Sequence, residues 1–202
     1  MSPSALDLIQ AEIRKCLACP LGVEEGYHGA FASYHVPGEG PIDAKVMIIG
    51  EAPGAEEECT GRPFIGRSGR LLTEILSAAG LDRSKMFVTS VIKCRPPKNR
   101  QPYKQEILAC LPFLVRQLEA VCPKVVLTVG NVSMQALTGT RLPIGEVRGK
   151  FHDIEFKGKR YVLRPVYHPA YLLRNRRRVP GSPWDKMLGD LIEVRKYLED
   201  NA

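Results

Sequence analysis

Hydrophobic positions along the chain follow two periods. KVMIIG at 45–50, MFVTSVI at 86–92 and KVVLTVG at 124–130 are short unbroken apolar runs, the pattern of strands buried on both faces. Between them the apolar residues recur every three or four positions. Leu6, Ile9 and Ile13 predict a first helix, and Leu71, Leu72, Ile75, Leu76 and Ala79 a second, capped by Ser68 and ended by Gly80. From Lys104 to Val121, Ile107, Leu108, Leu111, Leu114, Val115, Leu118 and Val121 fall on one side of a helix that Pro112 is expected to kink or restart. A short helix runs through Met134 to Leu137. Phe151–Phe156 and Arg160–Val166 read as a strand pair turning at Lys157-Gly158. Ser182-Pro183-Trp184-Asp185 opens a last helix whose apolar stripe is Trp184, Met187, Leu188, Leu191, Ile192 and Leu198. The stretch from Pro20 to Pro41, with five glycines and little period, reads as loop.

Strands alternating with helices of this length predict an α/β fold with a parallel sheet covered on both faces. No internal repeat, low-complexity tract or linker divides the chain, and 202 residues suit one domain spanning 1–202. Ligands in such folds lie beyond the carboxyl ends of the strands. The segments to search are therefore Glu51 onward, Ser90 to Arg100, Asn131, and Tyr167 onward.

Apolar residues at 44% and charged residues at 25% exclude a fibre or a disordered tail. The net charge of +7 suits a polyanionic partner without identifying one. No apolar run reaches the roughly 18 residues that span a bilayer. The opening MSPSALDLIQAEIRKC carries acidic residues at helical spacing, unlike a secretion signal. A cytoplasmic location, in the compartment that holds DNA, is expected. In a reducing compartment the six cysteines are better read for metal or redox chemistry than for disulfides.

Cys16 and Cys19 form a C-x2-C pair able to reach one centre. Cys94, just after a strand, and Cys110, on a helix, form a second pair. Four thiolates suit a structural zinc or a 4Fe-4S cluster equally, and buried unligated cysteines remain a third reading. Cys59 and Cys122 lack partners, and Cys122 reads as core.

After the first strand comes GEAPGAEEECTGRPFIG at 50–66, which is neither a Walker loop nor a GxGxxG turn. Its glycines and prolines fix a tight backbone, Glu51 projects from the strand end and Phe64 offers a stacking face. This segment resembles the first motif of the family 4 uracil-DNA glycosylases, the iron-sulfur branch of that superfamily. VIKCRPPKNRQP resembles the segment around the family's third cysteine ligand, and YHPAYLLRN its histidine motif. The matches run in family order from residue 16 to about 175.

The resemblance implies a three-layer α/β/α fold around a four-stranded parallel sheet, a structural 4Fe-4S cluster on Cys16, Cys19, Cys94 and Cys110, and excision of uracil from DNA, single- or double-stranded, by a monomer. A base must first be flipped out of the stack. Phe64 would stack on it, His168 would donate to its O2, and Ala52, Pro53 and Ser90 would line the pocket. Glu51 or Glu57 would hold the attacking water; apart from that role, at least two of Glu56–Glu58 read as a solvated acidic turn. Ser90 departs from the family, whose second strand ends in an asparagine that reads the uracil edge; a hydroxyl cannot present a carboxamide's two-point pattern. Altered base preference, such as hypoxanthine, or weakened catalysis is the alternative this leaves. Arg174, Arg176, Arg177 and Arg178 are the expected phosphate contacts, with Lys93, Arg95, Lys98, Arg100 and Lys104 as a second basic run. Leu172 is either a wedge into the duplex or the start of a packed helix. A non-catalytic iron-sulfur DNA-binding or redox-sensing protein and a zinc-ordered binding module are the competing classes.

Overall fold

The computed structural model describes residues 4–23, 35–175 and 177–201. The loop expected over 20–41 therefore falls partly outside the described residues, at 24–34. Helix α1 (Ala5–Ile13) starts at Ser4, whose hydroxyl accepts from the Asp7 amide while the Asp7 carboxylate accepts from the Ser4 amide, and it buries Leu6, Ile9 and Ile13. A short turn of helix, α2 (Pro20–Val23), follows.

Strand β1 (Val46–Gly50) is buried throughout because its alternate residues face two different layers. Met47 and Ile49 pack against α1 and the long helix α5 (Lys104–Val121), whereas Val46 and Ile48 pack toward helices on the opposite face. That opposite layer comprises α4 (Arg67–Ala78), α8 (Pro169–Arg174) and α9 (Pro183–Asp200). Between these elements lie α3 (Ala55–Thr60), β2 (Phe87–Ser90), β3 (Val125–Val129), α6 (Asn131–Thr138), α7 (Ile144–Val147), β4 (His152–Phe156) and β5 (Lys159–Val166). The sheet order is β2-β1-β3-β5-β4. Four strands are parallel, and β4 adds a fifth, antiparallel edge strand paired to β5. The β4–β5 turn has positive φ at both Lys157 (51°) and Gly158 (80°), as a tight type I′ hairpin requires.

Several elements differ from the sequence expectation. Helix α5 runs through Pro112 without interruption; the proline is exposed, and the carbonyl it leaves unpaired, that of Leu108, lies on the same exposed side, where water can satisfy it. Leu108 is therefore outside the core, which takes Cys110, Leu114, Leu118 and Val121 from this helix. Helix α4 is capped by Gly66, not Ser68. Cys122 is not core: it is exposed and closes α5 in a left-handed conformation at φ 47°. No helix among the described residues is long and apolar enough to cross a membrane.

Candidate active site

All four parallel strands end at one edge of the sheet, and the residues that follow them enclose a cleft of about 940 Å3. Glu51, Ala52 and Pro53 come from the end of β1, Ser90 from β2, Gly130 and Asn131 from β3, and Tyr167 and His168 from β5. Phe64, Glu57 and Arg174 complete the wall. The cleft thus joins all the sequence-predicted pocket residues, together with Tyr171 and with Arg67 and Asn99, the last two of which the sequence reading did not single out. The N-termini of α4 and α6 open onto it, placing partial positive charge where an anion would sit.

Glu57 is buried, and its carboxylate is taken up by the protein's own backbone. Oε1 accepts from the amides of Ile65 (2.9 Å) and Gly66 (2.8 Å), and Oε2 from that of Gly54 (3.1 Å). This carboxylate caps α4 from nine residues upstream, which is why Ser68 is not needed as a cap. Glu58 pairs with Arg95 at 3.0 Å, so of the three glutamates Glu56 alone lies on the surface, where it pairs with Arg70. The expected solvated turn thus shrinks to one residue.

Phe64 occupies the left-handed region at φ 51°, a conformation that costs a non-glycine residue roughly 1–2 kcal/mol. Its ring edge lies over Gly50, where a Cβ would stand 2.4 Å from Cζ, and its carbonyl rests on α4 at Gly69, where a Cβ would stand 1.9 Å from the oxygen. Both glycines are required by these approaches.

Glu51 is half-buried, and among the described residues no hydrogen bond or ion pair reaches its carboxylate. Burial alone raises its pKa above the ordinary carboxylate range. His168 is the N-cap of α8, and its Nδ1 accepts from the Ala170 amide at 3.1 Å. An amide can only donate, so in the neutral ring the proton resides on Nε2. Burial, with Arg174 as a second cause, lowers the imidazole pKa and keeps the ring neutral. Gly130, at φ 91°, admits the His168 side chain, since a Cβ there would lie 3.1 Å from His168 Cβ.

Ser90 is buried at the cleft wall, and its carbonyl accepts from Lys93 Nζ at 2.6 Å. Lys93 is not part of a surface basic run. It is fully enclosed, donates also to Thr89 Oγ1 (2.7 Å) and Gln117 Oε1 (2.8 Å), and has its pKa brought down to about 7 by burial. Arg100 likewise is engaged, in a two-point pair with Glu106 at 2.6 and 2.9 Å. Cys16, Cys19, Cys94 and Cys110 line one cavity beside Lys93, and none of them is in a disulfide. Burial pushes the Cys110 thiol up to about 11 and raises those of Cys94 and Cys19, and the neighbouring cysteines add to each rise. Among the described residues, however, no three His, Cys, Asp or Glu converge as ligands of a single metal ion.

On the outer side, Arg174 lines the cleft and Arg177 is exposed. Arg178 pairs with Glu74 at 2.7 Å and lies over the Trp184 ring at 5.3 Å. Arg176 lies outside the described residues. Leu172 is corrected: it is 2% exposed and packs into the core between α4, α8 and α9, so it is no wedge, while its neighbour Tyr171 is 40% exposed beside the cleft.

Residues 37–192 match the model of the uracil DNA glycosylase superfamily. The chain is 43% identical over 175 residues to a type-4 uracil-DNA glycosylase of Saccharolobus solfataricus, an alignment covering 84% of this chain and 78% of the relative. It is 40% identical over 172 residues to a type-4 uracil-DNA glycosylase of Thermotoga maritima, covering 85% and 84%, and 40% identical over 203 residues to one of Sulfurisphaera tokodaii, covering 97% and 89%. With most of its length matched at this identity, and with the cleft formed by the segments that carry the motifs, the chain belongs to the uracil-DNA glycosylase superfamily and, within it, to the type-4 family.

Proposed function

We propose that the protein is a monofunctional uracil-DNA glycosylase that acts as a monomer of one domain, draws an extruded uracil into the strand-end cleft and hydrolyses its N-glycosidic bond. The observation that carries the reading is the opposition of chemistries in one cleft: a carboxylate, Glu51, unpaired among the described residues, and an imidazole fixed as an Nε2–H donor, His168. Breaking the bond between uracil N1 and the sugar C1′ leaves the electron pair on the base and positive charge on the sugar. His168 donates to the uracil O2 as that oxygen gains charge. Glu51 holds water at the sugar face and disperses the positive charge; the water oxygen bonds to C1′ and releases its proton toward Glu51 or solvent. Phe64 stacks on the base. Glu57, spent on three amides, holds the loop and leaves the water to Glu51.

The donor set fits a four-iron cluster. Four thiols share one cavity, the number and type of donors that such a cluster takes. A bound cluster would keep these thiols deprotonated against the burial that raises their pKa values. Cys16, Cys19, Cys94 and Cys110 would hold the cluster, which supplies a rigid cross-link rather than a reacting group. It would pin the segment after β2 that brings Pro96, Asn99 and Arg100 to the cleft.

Incubation with oligonucleotides carrying a single uracil, followed by alkaline strand scission, is expected to reveal abasic sites, and His168→Gln should slow their formation about 100-fold or more. Intact uracil strands would overturn the reading. Ser90 at the cleft wall supports a second arm of the panel, with hypoxanthine, xanthine and thymine. A higher rate on hypoxanthine than on uracil would establish the altered-specificity reading instead.

A further inference from the structure

Phe64 is held by two opposite charges, one on the cleft wall and one outside it. Behind it, Glu57 takes the amides of Ile65 and Gly66; ahead of it, Arg83 takes the carbonyls. Arg83 stands on the turn between α4 and β2, where Asp82 fixes the backbone by accepting from the Ser84 amide at 2.9 Å. Its Nη1 donates to the Phe64 carbonyl at 2.8 Å and its Nη2 to the Pro63 carbonyl at 2.7 Å. Thr73 Oγ1, 3.1 Å from Nη1, and the Glu39 carboxylate, 3.7 Å from Nη2, aim the guanidinium. Glu39 is itself docked on the sheet edge by a reciprocal backbone pair with Val88. Arg83 is half-buried and does not line the cleft.

A left-handed non-glycine residue persists only where its surroundings over-determine it. Here the over-determination has two halves of opposite charge, acting on consecutive peptide units around a single ring. We propose that Arg83 is a positioning residue for base recognition: by gripping the Pro63 and Phe64 carbonyls, it sets the plane of the Phe64 ring that closes on the extruded base. The inference rests on Phe64 being the stacking wall of the proposed function. Fixed donors at both carbonyls hold the backbone from which the ring reaches over Gly50, and a misplacement of about 1 Å in a positioning group can cost about 100-fold in rate.

Three variants, Arg83→Gln, Phe64→Ala and the double variant, test this by single-turnover excision, inhibition by free uracil and binding to uracil-free duplex. Arg83→Gln is expected to slow excision and weaken uracil inhibition by about the same factor, near tenfold, while affinity for undamaged DNA is unchanged. In the Phe64→Ala background the Arg83 substitution should have no further effect. A further tenfold loss there would overturn the inference, because Arg83 would then act by another route. A Phe64→Ala enzyme as fast as the parent would overturn the stacking reading and this inference with it, a result distinguishable from the first. Should Arg83→Gln not fold, Arg83→Lys keeps the charge but reaches one carbonyl, and a loss of about threefold is expected; parental kinetics would count against the inference.

Discussion

Glu51 and Glu57 sit six residues apart in one loop, yet their surroundings separate their work. Three amides converge on Glu57, and among the described residues none reaches the carboxylate of Glu51. With its folded pKa raised by burial, Glu51 makes the folded state the better proton binder. Ionised Glu51 therefore destabilises the fold at neutral pH, and the penalty is relieved as pH falls through the raised folded pKa toward the ordinary value of 4.5. Glu51→Gln should then unfold at a temperature no lower than the parent at pH 7, yet excise uracil about 100-fold or more slowly and lose the acid limb of the pH–rate profile. Glu57→Gln should behave in the opposite sense. It keeps one acceptor oxygen for three amides, and a loss of about 1–3 kcal/mol in unfolding free energy is expected. A Glu51 variant less stable than the Glu57 variant would exchange the two assignments.

Among the elements, Asp190 on α9 fixes the last helix to the sheet. Its carboxylate, 1% exposed, takes Arg164 of β5 at 2.9 Å and Arg148 at 2.6 Å. Arg148 also lies over the ring of Tyr167, next to His168, at 5.2 Å. Asp190→Ala strands the buried Arg164 without its counter-charge, for which about 3–5 kcal/mol of destabilisation is expected. Urea unfolding should show a lower midpoint with an unchanged slope; an unchanged midpoint would mean that the triad contributes nothing net. The strands and most helices were legible in the sequence because burial on two faces leaves continuous apolar runs and burial on one leaves a helical stripe. The segments that converge on the cleft were legible too, through the rule that ligands gather at strand ends and through the motifs at 50–66 and 167–175. What escaped depended on contacts distant in sequence. Gly66 caps α4 because Glu57 folds back on it, and Arg83 grips carbonyls 19 and 20 residues away. Leu172 could be assigned to surface or core only once α4 and α9 were seen to cover it.

Across the whole molecule, fewer cations are free to meet a polyanion than the 29 lysines and arginines suggest. Arg95, Arg100 and Arg148 are held by buried carboxylates, Lys93 is enclosed, and Arg62, Arg70 and Arg178 pair with surface glutamates. Under the proposed function, Arg174, which lines the cleft, and the exposed Arg177 on the segment beyond α8 are the contacts expected for the phosphates flanking an extruded nucleotide. Each phosphate contact releases condensed counterions and steepens the fall of log K with log salt by about 0.9. Replacing Arg174 and Arg177 together by glutamine should therefore make that slope shallower by about 1.8, measured by fluorescence anisotropy between about 50 and 200 mM salt. Arg178→Gln should shift it less, because Glu74 already neutralises that guanidinium at 2.7 Å and Trp184 backs it. A slope that responds to Arg178 as strongly as to Arg177 would mean that DNA displaces Glu74, and the phosphate path would then run over α4 rather than across the cleft mouth alone.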